Sequence, residues 1–210
     1  MRTKFILAPL MAAAAMLLSG CLSIRSFVDP SLGDVPTTER VAPVNPQPVQ
    51  LIFEFRTQGA ANARATNLLR EQITESVRGS RLFSEVSTNP VAGGALLSIV
   101  IDNIPQEGAA SRGFATGLTL GLAGTTVSDY YVGTARYSRS GAAELNSEGR
   151  HALHSQIGNA AAPANMVQAE TVEAGLRTVI RQLTDHLLFD IARQPGFDPA
   201  PVTPATAPVT

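Results

Sequence analysis

The sequence holds one cysteine, one lysine and no tryptophan in 210 residues. Each shortage excludes something. A single thiol, Cys21, forms no intramolecular disulfide and no CxxC metal or redox pair. The phosphate-cradling P-loop ends in GK[ST], and no lysine stands beyond Lys4; the GxG of the dinucleotide fingerprint is missing too. There is no GxSxG elbow and no HExxH helix. Of the three histidines, His151 and His154 form HxxH, but on a strand positions three apart face opposite ways and share no metal. His186, beside Asp185, reads as a surface or boundary residue. With aromatic residues at 5%, a core must be built from Leu, Ile, Val and Ala.

What is present begins with "MRTKFILAPLMAAAAMLLSGC". Arg2 and Lys4 precede a charge-free apolar run, Phe5 to Leu18, of 14 residues. That is shorter than the ~20 residues a helix needs to cross a bilayer, so an export signal is the better reading than a membrane span. Removing it takes away two cations and no acid, leaving 14 basic against 17 acidic residues, a net charge of −3. No basic stripe marks a nucleic-acid partner.

The run closes on Leu18-Ser19-Gly20-Cys21, which resembles the lipobox of bacterial lipoprotein precursors. The resemblance implies that the Cys21 thiol receives a diacylglycerol, that cleavage falls before it, and that the new amino terminus is acylated. Several acyl chains, each adding ~0.8 kcal/mol per buried CH₂, make attachment effectively permanent. Leu22 stands where an Asp would imply retention in the inner membrane, so the resemblance points to the outer membrane of a Gram-negative cell. No cofactor is expected beyond the covalent diacylglycerol and N-acyl lipid on Cys21.

Residues 22–48 carry Pro30, Pro36, Pro43, Pro46 and Pro48 and read as an extended tether, which can pack partly on the body since Ile24 and Phe27 are apolar. In polyproline geometry, at ~3.1 Å per residue, it would reach up to ~80 Å. Order starts at "VQLIFEFR", where Val49, Leu51, Phe53 and Phe55 alternate with polar or outward positions, the period of a strand. Asn62 then caps a helix in which Ala65, Leu69, Ile73 and Val77 recur every four residues, ending near Gly79. Strands are expected at 95–104, 125–138 and 144–158. A final helix is expected over roughly 166–193, capped by Asn165 with Gln168 at its third position. Pro195-Gly196 stops it, and the Pro-, Thr- and Ala-rich tail to 210 should be disordered.

The expected order is β-α-β-β-β-α. This is an α+β two-layer sandwich of about four strands with two amphipathic helices on one face. The domains follow: a signal peptide at 1–20, a lipidated Pro-rich tether at 21–48, an α+β periplasmic domain at 49–194 and a tail at 195–210. This organisation resembles small periplasmic lipoproteins of envelope assembly and transport, of the lipopolysaccharide-assembly and ABC-transport auxiliary types. The resemblance implies a setting and supplies no shared functional motif.

One stretch stands apart: "GFATGLTLGLAG", residues 113–124, without a charge. As a helix it places Gly113, Gly117 and Gly121 on one stripe, as in small-xxx-small packing. As a strand it puts Phe114, Leu118, Leu120 and Leu122 on one face, with small residues opposite, as a membrane barrel does. The segment, closed by Gly124, is a candidate contact with membrane or partner, and a buried connection in the domain's own core is the plainer alternative. Nearby, Asp129-Tyr130-Tyr131 reads either as a recognition surface or as strand aromatics covering the sheet.

The functional expectation is a lipid-anchored, non-catalytic envelope adaptor or accessory lipoprotein with an envelope protein as partner. The alternative is an oligomeric, membrane-inserting lipoprotein that uses the glycine-rich segment as a secretion channel does. Nothing in the sequence fixes the oligomeric state.

Overall fold

The period-two alternation of "VQLIFEFR" is realised as a strand whose odd-numbered side chains are buried. The computed structural model describes residues 23–105, 108, 124–162 and 164–198. In chain order its elements are β1 (Ile24–Val28), β2 (Pro48–Thr57), β3 (Ala60–Ala61), α1 (Ala63–Gly79), β4 (Glu85–Ser87), β5 (Ala95–Pro105), β6 (Thr125–Ser138), β7 (Leu145–Ile157), β8 (Val167–Ala169) and α2 (Val172–Ala192).

The class is α+β, but the expected four-stranded sheet is wrong. Among the described residues eight strands form one mixed sheet in the order β3-β2-β5-β6-β7-β1-β8, with β4 also on β2. β2 runs parallel to β5 and β4, and β1 runs antiparallel to β7 and β8. The four added strands are two to five residues long. Alternation over so few positions leaves no readable period.

The chain divides into two compact units, the first comprising residues to 30, 105–129 and 152–176, the second the remainder. In the first unit, residues 24–28, expected within an extended tether, form β1 between β7 and β8; Phe27 faces His154 on one side and Gln168 on the other. Phe27 and Val28 are buried. The last helix therefore starts later than expected. Gln168 lies in β8, Asn165 adopts φ 60°, and the cap is Thr171, whose Oγ1 accepts from the Ala174 amide at 3.0 Å. The β1 edge takes up 167–169 as a strand, which removes them from the helix. Gly175 then lets the first turn of α2 lie close: a Cβ there would stand 2.8 Å from Leu153 Cδ1.

In the second unit, Leu51, Phe53 and Phe55 of β2, Leu97, Ile99 and Ile101 of β5, and Tyr131 and Tyr137 of β6 are all buried. Opposing them are the stripe expected of α1, Leu69, Ile73 and Val77, and the buried face of α2, Val179, Ile180, Leu183, Leu187 and Ile191. Asn62 caps α1 as anticipated, its Oδ1 accepting from the Ala65 amide at 3.0 Å. The start of the expected tail is packed: Phe197 is buried, with its ring centroid 5.2 Å from that of Tyr137.

Two glycines set how near α2 approaches. A Cβ at Gly133 would lie 2.9 Å from both Leu183 Cγ and Leu187 Cδ1, and one at Gly149 would lie 3.0 Å from Leu183 Cδ1. Gly79, at the end of α1, has open space at its Cβ position. Two Gly→Ala changes should therefore have opposite signs. Gly133→Ala overpacks the core and should lower stability by about 1–3 kcal/mol. Gly79→Ala should raise it by up to about 1 kcal/mol through helix propensity. Thermal unfolding followed by circular dichroism checks both, and a Gly133→Ala protein as stable as wild type would refute the close contact.

Candidate functional site

Cys21 and residues 113–122 lie outside the described residues, so the structure speaks of their surroundings only through Ser23 and Gly124. The Ser23 carbonyl accepts from the Gly158 amide at 2.9 Å, and β1 starts at the next residue. Only Leu22 and Ser23 separate Cys21 from the sheet. Gly124, immediately before β6, has φ 54°, and a Cβ there would fall 2.0 Å from the Ala160 nitrogen. Its glycine is required by backbone packing against the 159–160 turn. The Gln156 side-chain amide bonds the Ala160 carbonyl at the same place.

The two HxxH histidines are parted. His151 lies on the odd-numbered face of β7, and its Nε2 is 2.8 Å from Gln182 Oε1 of α2. His154 lies on the other face, its Nδ1 2.8 Å from Ser128 Oγ. Among the described residues no cluster of three or more His, Cys, Asp or Glu has metal-holding geometry. Tyr131 is a core residue, 6.5 Å from the Phe55 ring between centroids, whereas Tyr130 is half-exposed. Of the Asp129-Tyr130-Tyr131 run, only Tyr130 offers its ring to a partner.

The more elaborate arrangement involves residues 31–47, which are bound along α2 as a strap. Val35 is buried. Asp34 Oδ1 accepts from Arg181 Nη2 at 2.7 Å and from Gln182 Nε2 at 2.8 Å. With its amide nitrogen committed to Asp34, Gln182 presents its oxygen to His151, so that His151 Nε2 carries the proton. One turn on, Asp185 Oδ2 lies 3.6 Å from Arg181 Nη1 and 3.7 Å from Arg40 Nη2. The far end of the strap is held by Asp198, whose carboxylate accepts from the Val44 and Asn45 amides, the latter at 3.0 Å. Of this network only the Arg181/Asp185 pair, at i,i+4 on a helix, is visible in the sequence; its strap partners Asp34 and Arg40 lie about 145 positions away in the chain.

The two carboxyls are perturbed in opposite directions. Hydrogen bonds from Gln182 and Arg181 hold Asp34 below the usual carboxylate range. Burial pushes Asp185 up, against the opposing pull of Arg181 and Arg40.

No family model matches the chain, and no curated protein matches it. Among solved structures it is similar to a single-substitution variant of PelC from Paraburkholderia phytofirmans, solved as a dodecamer, over 82% of this chain and 98% of that one, at 10% identity and a TM-score of 0.38. A likeness of that strength carries no argument about activity or assembly.

The strap network predicts opposed pH behaviour. A carboxyl with a depressed folded-state pKa adds stability above its unfolded value of about 3.9 and loses it as pH falls through the folded value. Asp34→Asn should therefore destabilise at pH 7, by no more than about 1 kcal/mol since the pair is exposed, and match wild type in acid. Asp185 has the raised value, so its ionisation detracts from stability as pH rises. Asp185→Asn should be the more stable protein at pH 7, its advantage vanishing below about pH 3.9. Urea unfolding between pH 3 and 8 measures both, and same-sign effects at pH 7 would contradict the assignment.

Proposed function

We propose that this chain is a lipid-anchored lipoprotein of the cell envelope. In this reading Cys21 carries a diacylglycerol and an N-acyl chain at the outer membrane. The body faces the periplasm and serves as a non-catalytic adaptor or an assembly and transport accessory for an envelope protein. One observation carries the reading: Leu18-Ser19-Gly20-Cys21 closes a charge-free apolar run in a chain with no other cysteine. Among the described residues no helix is long and apolar enough to cross a membrane.

The position of β1 changes the mechanics from those of a long tether. With Ile24 in the sheet, the lipidated position is three residue steps from the folded body, at most about 11 Å of extended chain. The lipid then holds the β1 region at the headgroups and gives it no reach. Partners are met at the membrane surface, where confinement raises their effective concentration and a weak interface suffices.

Metabolic labelling with a radioactive fatty acid tests the reading. The wild-type chain should take up label and run at mature length, and Cys21→Ser should lose the label. An unlabelled wild type, or a Cys21→Ser protein that is labelled and cut normally, would overturn it.

A further inference from the structure

Beneath the strap lie two adjoining clefts that share Arg40, Val41 and Ser80 in their walls. The smaller one, ≈ 30 Å³, has Leu82, Leu188 and Phe189 in its wall, with Asp185 the one carboxylate there. The larger one, ≈ 400 Å³, has Arg40 and Arg81 and no carboxylate in its wall. The smaller space suits a narrow apolar group such as the end of one alkyl chain.

Arg81 is the telling residue. It follows the end of α1 with φ 58°, in the left-handed region, where glycine is free of strain and an arginine is not. Its amide closes the helix end on the Arg78 carbonyl at 3.1 Å, while its guanidinium makes no hydrogen bond or ion pair among the described residues. Arg40 is held only loosely, 3.7 Å from Asp185 and with its side chain 41% exposed. Two available cations thus flank one opening, on a chain whose mature form carries net negative charge. Asp185 disfavours an anion in the smaller cleft, so an anionic group belongs in the larger cleft and an uncharged one in the smaller.

We propose that the adjoining clefts bind a single-chain anionic amphiphile, its alkyl end against Leu82, Leu188 and Phe189 and its phosphate or carboxylate head between Arg40 and Arg81. The site lies wholly within the second compact unit and does not depend on whether Cys21 is acylated.

A photoreactive decyl phosphate, carrying a diazirine at the end of its chain, tests this on the full chain in neutral phosphatidylcholine vesicles. Adducts should map to peptides containing Leu82, Leu188 or Phe189. Excess decyl phosphate or decanoate should compete, whereas inorganic phosphate and decyltrimethylammonium should not. Arg40→Gln and Arg81→Gly should each cut site labelling about tenfold, the scale of one lost charge-assisted contact. Arg81→Gly should also raise Tm, because it relieves the backbone, so weaker labelling there cannot be ascribed to unfolding. The proposal fails if labelling survives both substitutions or if the cationic amphiphile competes equally. It fails too if an acidic peptide bearing one leucine competes better than decyl phosphate, since the site would then be a peptide site.

Discussion

Leu183 occupies space that side chains at positions 133 and 149 would otherwise fill, and much of the second unit follows from that close approach. Core packing tolerates little change in volume, so two missing Cβ atoms draw the helix toward the strands and set its rotation. With Leu183 and Leu187 turned inward, the same helix must turn Arg181, Gln182 and Asp185 toward the strap. The polar network is in this sense a consequence of the apolar one. Aliphatic contact fixes the helix, and the helix then presents a row of hydrogen-bonding groups to which residues 34–40 attach.

The same logic shows which parts of the fold were legible beforehand. β2, β5, β6, β7 and α1 are long enough to display their periods, and Asn62 announces its cap by type and position. What stayed hidden was short or depended on distant residues. β1 is five residues among prolines, and nothing local says that Phe27 will face His154 across a ladder. The false start of α2 has the same origin: Asn165 and Gln168 match a capping pattern, but the β1 edge captures the segment first. Local propensity loses there to a long-range pairing that sequence alone does not display.

Legibility was also uneven at the candidate sites. The lipobox can be read because it is a contiguous motif, and the absence of other cysteines sharpens it. The clefts under the strap could not be read, because Arg40, Arg81 and Leu188 come from three separate parts of the chain. Gly124 illustrates the intermediate case. It counted with the glycine-rich segment by spacing, yet its own conformation answers to the backbone of Ala160. A glycine's reason often lies in what passes beside it, and sequence spacing does not report that.

The proline-rich composition of residues 22–48 suggested an extended tether, but proline removes only a backbone donor and fixes φ. It does not prevent side chains between the prolines from binding elsewhere. Asp34, Val35 and Arg40 do so by three different means: a charged hydrogen bond, burial and a longer ion pair. Asp185 is the least comfortable member, its carboxylate partly desolvated and only imperfectly offset by two arginines at 3.6 and 3.7 Å. Replacing such a buried charge by a neutral group of equal shape commonly stabilises a protein, so stability alone gives no reason for its presence. Its effect is positional. A carboxylate at that point on α2 keeps the loosely held Arg40 side chain near the cleft mouth. Without it the strap would still be held by Val35, by Asp34 on Arg181 and Gln182 and by Asp198, but the Arg40 guanidinium would lose the carboxylate that stands 3.7 Å from it.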